Sequence, residues 1–256
     1  DTLMALRHAK AAGAKILAVC NTNSSTIPRE SDAVLYTHAG PEIAVASTKA
    51  FLTQVVALYL IGLYLAQTRG EMDAREVCEI FDSMTELPAK IEQILETVEP
   101  LRELTRSFAG ENSVLFLGRH VGYPVAMEGA LKLKELAYMH AEGFAGGELK
   151  HGPIALIEEG SLVIAVLPFG HEYGLDEKML SNVQEVKARG AKVVVIAEEG
   201  AEVTGAAHTI RIPSAPGLLQ PILATVPLQV FAYEMAVARG NDVDQPRNLA
   251  KSVTVE

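Results

Sequence analysis

The chain has 256 residues, 49% of them hydrophobic, enough to bury two domains of ordinary size or one large one. A net charge of −10 argues against an extended basic surface for nucleic acid or anionic lipid, although local donors can still hold a phosphorylated metabolite. Aromatic content of 5% with no Trp argues against stacking platforms, and two cysteines, Cys20 and Cys78, outside any CxxC pair suggest a reducing compartment without disulfides or structural zinc.

In chain order, residues 2–12 carry a helical pattern behind an N-cap-like Asp1 or Thr2, closed by Gly13. An α/β domain usually begins with a strand, so the chain reads as a piece of a longer protein. Residues 15–20 are predicted as a short apolar strand of the parallel type, covered on both faces. Residues 21–28 read as loop, 29–32 as a short turn and 33–37 as strand. Ser47 and Thr48 are predicted to cap a long helix that runs to about Thr68 and stops at Arg69-Gly70. Its apolar run, Val55 to Ala66, falls short of the ~20 residues of a spanning helix, so a buried core helix is expected. No signal peptide is visible.

Residues 72–109 read as two amphipathic helices split by Pro88, a connector between domains. Strands are predicted at 113–118, 161–167, 192–197 and 209–212, with helices at 175–189 and 217–238. Pro221 and Pro227 should bend or delay the start of the last helix. Residues 241–256 show no core periodicity.

The order of elements repeats. Ala5 to Val19 aligns with Asn182 to Ile196, each reading helix, Gly-Ala-Lys, buried strand, and each is followed by a strand and a long helix ending Arg-Gly. Alternating apolar strands and helices imply doubly wound parallel sheets. The repeat implies two α/β domains of one type, the first lacking its opening strand and loop.

Glu128 to Pro153 is the stretch with most chemical content. Glu128, Lys132 and Glu135 share one helical stripe at i, i+4, i+7, with Met127, Ala130, Leu131, Leu133, Ala137 and Tyr138 on the other faces. Two readings stay open: a solvated ladder of Glu–Lys pairs, or a pocket wall. Gly143, Gly146 and Gly147 are read as chain breaks before a polar cluster from Glu148 to His151. His140, Glu142, Glu148 and His151 match no common metal spacing. Ala44 to Lys49 offers hydroxyls and N–H groups at a helix N-terminus to an anion or a sugar hydroxyl, though capping alone explains Ser47 and Thr48. In the tail, Pro246 stiffens the chain, Val253 and Val255 have alternating positions that could be buried, and Lys251 could form an imine with a ketose if folded over a pocket. No Walker loop, GxGxxG or GxSxG is present.

Three blocks, Glu128 to Glu135, Gly147 to Pro153 and Gln245 to Glu256, with Val45 to Lys49 as a fourth, resemble the isomerase half of glutamine–fructose-6-phosphate aminotransferases, built from two SIS sugar-isomerase domains. The resemblance covers essentially the whole chain. It implies two doubly wound parallel sheets flanked by helices: a first, N-terminally truncated SIS domain at 1–70, a helical connector at 71–110, a second SIS domain at 111–240, and a C-terminal tail at 241–256 over the active site. It implies conversion of fructose 6-phosphate and ammonia to glucosamine 6-phosphate. In that reading Lys251 forms the imine, Glu135 moves the proton between C1 and C2, His151 opens the ring from the neighbouring subunit of a homodimer, and Lys132 holds or tunes Glu135. Val45, Ser47 and the Ala250 backbone would touch the sugar. No cofactor, metal, nucleic-acid or membrane partner is implied, and the compartment is cytoplasmic. The family's Ser-rich phosphate loop and its glutaminase domain are absent from the chain as given, and Ala44 stands where Gly is expected. A non-catalytic sugar-phosphate-binding SIS module and a ketosamine-phosphate deglycase are the alternatives.

Overall fold

The computed structural model describes residues 1–96, 98–167 and 174–251. These divide into two units, Asp1–Glu79 and Ile80–Glu256. The first contains α1 (Thr2–Ala11), β1 (Leu17–Cys20), α2 (Thr26–Glu30), β2 (Ala33–Tyr36) and α3 (Lys49–Arg69). β1 and β2 form a parallel pair in the register Leu17 to Ala33 through Cys20 to Tyr36. Leu17 is exposed, so β1 is not covered on both faces as expected. A short helix, α2, replaces the expected loop end and turn. Its Pro28 sits inside the first turn, where the missing N–H costs nothing.

α3 has the expected bounds but not the expected surroundings. Only Ala50, Ala57 and Leu63 are buried, while Leu58, Tyr64 and Leu65 are more than half exposed. The helix is apolar on every side, and within this unit it packs on β1 along one narrow face. By length and composition α3 and the later α9 could each cross a bilayer, but 72% of the apolar window of α9 is buried, against 17% for α3.

α4 (Ala74–Thr85) spans the division between the units. It is followed by α5 (Leu87–Leu95) and α6 (Val98–Ser107), so the connector holds three described helices rather than two. Pro88 opens α5 in its first turn, and a second break falls between α5 and α6. Both pack on α9. Arg102 of α6 donates from Nε to Glu234 Oε2 (2.9 Å) and from Nη2 to Glu234 Oε1 (3.1 Å).

The rest of the second unit is β3 (Ser113–Gly118), α7 (Gly122–Ala137), β4 (His140–Ala145), two 3₁₀ turns (Gly146–His151 and Pro153–Leu156), β5 (Leu162–Val166), α8 (Leu175–Lys187), β6 (Lys192–Glu198), β7 (His208–Ile212) and α9 (Gln220–Ala238). The five strands are parallel in the order β4-β3-β5-β6-β7. Winding reverses between β3 and β5, which makes their carboxyl ends the topological switch point. Both faces of the central strands β3, β5 and β6 are buried. Leu115, Leu117, Val163, Val193 and Val195 form one cluster with Met179, Val183 and Val186 of α8. On the opposite face lie α7 and α9, and Phe116 approaches Leu228 across Gly129, where a Cβ would stand 2.8 Å from Leu228 Cδ1.

β4 is the strand that its sequence hides. Its glycines look like chain breaks, yet Gly143 lies where a Cβ would stand 2.8 Å from Met127 Cα, so glycine lets α7 lie on the sheet edge. The repeat is visible in the backbone. Gly13 and Gly190 end α1 and α8 with φ of 86° and 91°. Each donates its N–H three residues back, to Lys10 and Lys187, while the following Ala14 and Ala191 bond five back, to Ala9 and Val186. α3 and α9 close the same way at Gly70 and Gly240.

Candidate functional site

α7 supplies the centre of the candidate site. Its Ala- and Leu-rich sequence favours helix, and its apolar faces pack against the sheet and α9. Glu128, Lys132 and Glu135 are thereby drawn together on one stripe. Lys132 is 3% exposed, its Nζ donating to Glu135 Oε2 and lying 3.6 Å from Glu128 Oε1. That second distance is an ion pair without a hydrogen bond, and Glu128 Oε1 is buried with no hydrogen-bond partner. Desolvation pushes the Glu128 carboxyl above its ordinary value. Lys132 opposes the shift and the nearby Glu135 charge adds to it. Of the two open readings, a solvated ladder is excluded for Lys132. Lys134, off the stripe, is exposed.

The C-terminal end of α7 is also where the tail is fastened. Tyr138 follows the helix in a left-handed conformation (φ 56°), and Asn241 Nδ2 donates to the Leu136 carbonyl at 3.1 Å. The Arg247 N–H donates to the Tyr138 hydroxyl at 2.7 Å, and its guanidinium lies 4.3 Å from the centre of the Tyr138 ring. Asp242 accepts from the N–H groups of Asp244 and Gln245, turning the chain before Pro246. Ala250 and Lys251 follow, exposed. Val253 and Val255, with the rest of 252–256, lie outside the described residues.

His151 is exposed at the end of the first 3₁₀ turn, and His140 of β4 lies 3.1 Å from Glu142. Among the described residues no three His, Cys, Asp or Glu side chains converge as a metal site requires. Val45 and Ser47 are half-buried in the loop before α3 of the first unit. The donors there are not open to an anion as the sequence suggested. Thr48 stands at the N-cap without a capping side-chain bond, and the Glu42 carboxylate accepts instead from Ser47 Oγ (3.2 Å), Thr48 N (2.7 Å) and Ala50 N (3.5 Å). Negative charge at a helix N-terminus is favourable, so Glu42 serves as the cap. Sequence reasoning missed Glu42, Tyr138 and Arg247. In the sequence, the stiffening Pro246 and the alternating Val253 and Val255 were the hints that the tail is ordered.

The SIS domain family matches residues 1–64 and 107–239. The glutamine–fructose-6-phosphate aminotransferase (isomerizing) of Streptomyces coelicolor is 66% identical over 100% of this chain and 42% of its own length. That of Corynebacterium efficiens is 63% identical with the same coverage. The chain thus spans less than half the length of these relatives. Among solved structures, the C-terminal domain of glucosamine-fructose-6-phosphate aminotransferase from Francisella tularensis superposes with a TM-score of 0.90 at 36% identity, covering 95% of this chain and 69% of that one. The resemblance and the α/β fold class read from the sequence are both borne out.

Proposed function

This chain belongs to the SIS domain family, and from that premise we propose that it is the isomerase part of a glutamine–fructose-6-phosphate aminotransferase. The observation that carries the reading is the end of α7. One helix holds the buried Lys132 paired with the half-buried Glu135 and, a turn later at Tyr138, the anchor of the tail. Lys251 lies four positions beyond Arg247, at most about 14 Å of extended chain, so the anchor limits how far Lys251 can stray from Glu135.

In this reading the Lys251 amine attacks C2 of open-chain fructose 6-phosphate and water leaves as the imine forms. Ammonia, drawn from glutamine by a glutaminase domain elsewhere in the full-length protein, displaces Lys251. Glu135 then removes a proton from C1 and returns it to C2, leaving an aldehyde at C1 and an amine at C2, which is glucosamine 6-phosphate. Lys132 fixes the Glu135 carboxylate in position, an orientation that proton transfer between adjacent carbons requires. His151 protonates the ring oxygen during opening and is contributed by the second subunit of a homodimer, in keeping with its exposure here. The protein works in the cytoplasm, in keeping with its free cysteines Cys20 and Cys78.

Incubating the full-length protein with fructose 6-phosphate and an ammonium salt tests the reading. Glucosamine 6-phosphate is the expected product. Cleavage of fructosamine 6-phosphate without net synthesis would mean a deglycase, and tight binding without turnover a sugar-phosphate sensor.

A further inference from the structure

A second feature of the second unit is lined by none of Glu128, Lys132 and Glu135. It is a cavity of about 240 Å³ beside the carboxyl ends of β3 and β4, lined by Arg119, Lys150, Lys178, Asn182 and Glu185. Arg119 directly follows β3, whose carboxyl end borders the point where winding reverses, the position at which open parallel sheets bind ligands. Among the described residues, Arg119, Lys150 and Lys178 line it together with Glu185, in a chain whose net charge is −10. Desolvation raises the Glu185 carboxyl, but hydrogen bonds from Lys150, Asn182 and Ser181 outweigh it and hold the group below its ordinary value. Glu185 pairs with Lys150 at 2.9 Å.

The Arg119 fork is set in place before any ligand arrives. Its Nε donates to Oδ1 of Asn182, a side chain only 3% exposed, at 3.0 Å. Gly146 and Gly147 form the facing wall. A Cβ at Gly146 would stand 2.7 Å from Asn182 Oδ1 and 3.1 Å from Arg119 Cγ, so a larger residue would push the fork aside. The cavity is smaller than the ~300–1,000 Å³ of pockets for drug-sized ligands, which favours a compact occupant over a nucleotide sugar.

We propose that this cavity is a second anion site, one that binds the phosphate monoester of a small metabolite through Arg119 and Lys178. It neither uses nor requires the imine chemistry assigned to Lys251.

The test is calorimetry on the full-length protein with sorbitol 6-phosphate, which has no carbonyl and cannot form an imine. Binding is expected to include one event that inorganic phosphate competes away and that weakens at least tenfold in both Arg119→Gln and Lys178→Gln. Arg119→Lys should recover part of it. Lys178 is exposed, so its variant folds even if Arg119→Gln does not. The proposal is overturned if no such event occurs, or if both Gln variants bind as wild type does. Borohydride trapping of fructose 6-phosphate on Lys251 should be unchanged in these variants. Loss of trapping with phosphate binding intact would overturn the enzymatic reading alone.

Discussion

Lys132 keeps an ammonium almost wholly out of water between two carboxylates. Removing one partner of a buried ion pair leaves an uncompensated charge and costs about 3–5 kcal/mol. Lys132→Met should therefore lower the urea midpoint by that equivalent, with the loss read from equilibrium unfolding. Glu128 gives a pH signature. Burial raises its folded-state value, so the folded protein holds that proton more tightly than the unfolded chain does. Wild-type stability must then fall, relative to Glu128→Gln, as pH rises from the ordinary Glu value through the raised one. Tm of Glu128→Gln minus Tm of wild type should be more positive at pH 8 than at pH 4, and a constant difference would contradict the assignment. Tyr138→Phe keeps the ring but removes the acceptor of the Arg247 N–H, a bond worth about 1 kcal/mol. Hydrogen exchange at Arg247 should accelerate while Tm moves little. The stripe was legible in the sequence because helical spacing is regular. Tyr138–Arg247 was not, because a contact between residues 109 apart depends on the path of the chain between them.

At the scale of elements, what sequence pattern conveys is burial, not the partner that provides it. β3, β5 and β6 announce themselves as apolar runs because they are buried between helices on both faces. β4 lies at the sheet edge, carries no β-branched residue and admits α7 only through Gly143, so the residue that looked like a break is what allows the packing. Gly143→Ala should cost about 1–3 kcal/mol by overpacking against the α7 backbone, measured by chemical denaturation. α3 shows the converse. Its composition resembles that of α9, yet α9 is enclosed by α5, α6, α7 and β7, whereas most of α3 is not enclosed within its own unit. α9 also carries Glu234, 3% exposed and paired with Arg102. Arg102→Met leaves the buried Glu234 carboxylate without its cation, so it should destabilise more than loss of a surface ion pair such as Arg75–Glu79 would, as read from equilibrium unfolding.

On the scale of the whole molecule, the repeat was readable because Gly-Ala-Lys recurs at the same turn, and the backbone bonds at Gly13 and Gly190 show why that turn needs glycine. The candidate site was less legible, since the residues proposed for it lie on α7, a 3₁₀ turn and a tail held by bonds at Asp242 and Arg247. The central claim is that the tail lysine carries the sugar. Borohydride reduction of the full-length protein mixed with fructose 6-phosphate, followed by peptide mapping, tests it directly. The account predicts a reduced sugar adduct on Lys251, lost in Lys251→Arg and retained in Glu135→Gln, which should abolish only the later proton transfer. No adduct, or an adduct on a different lysine, would contradict it.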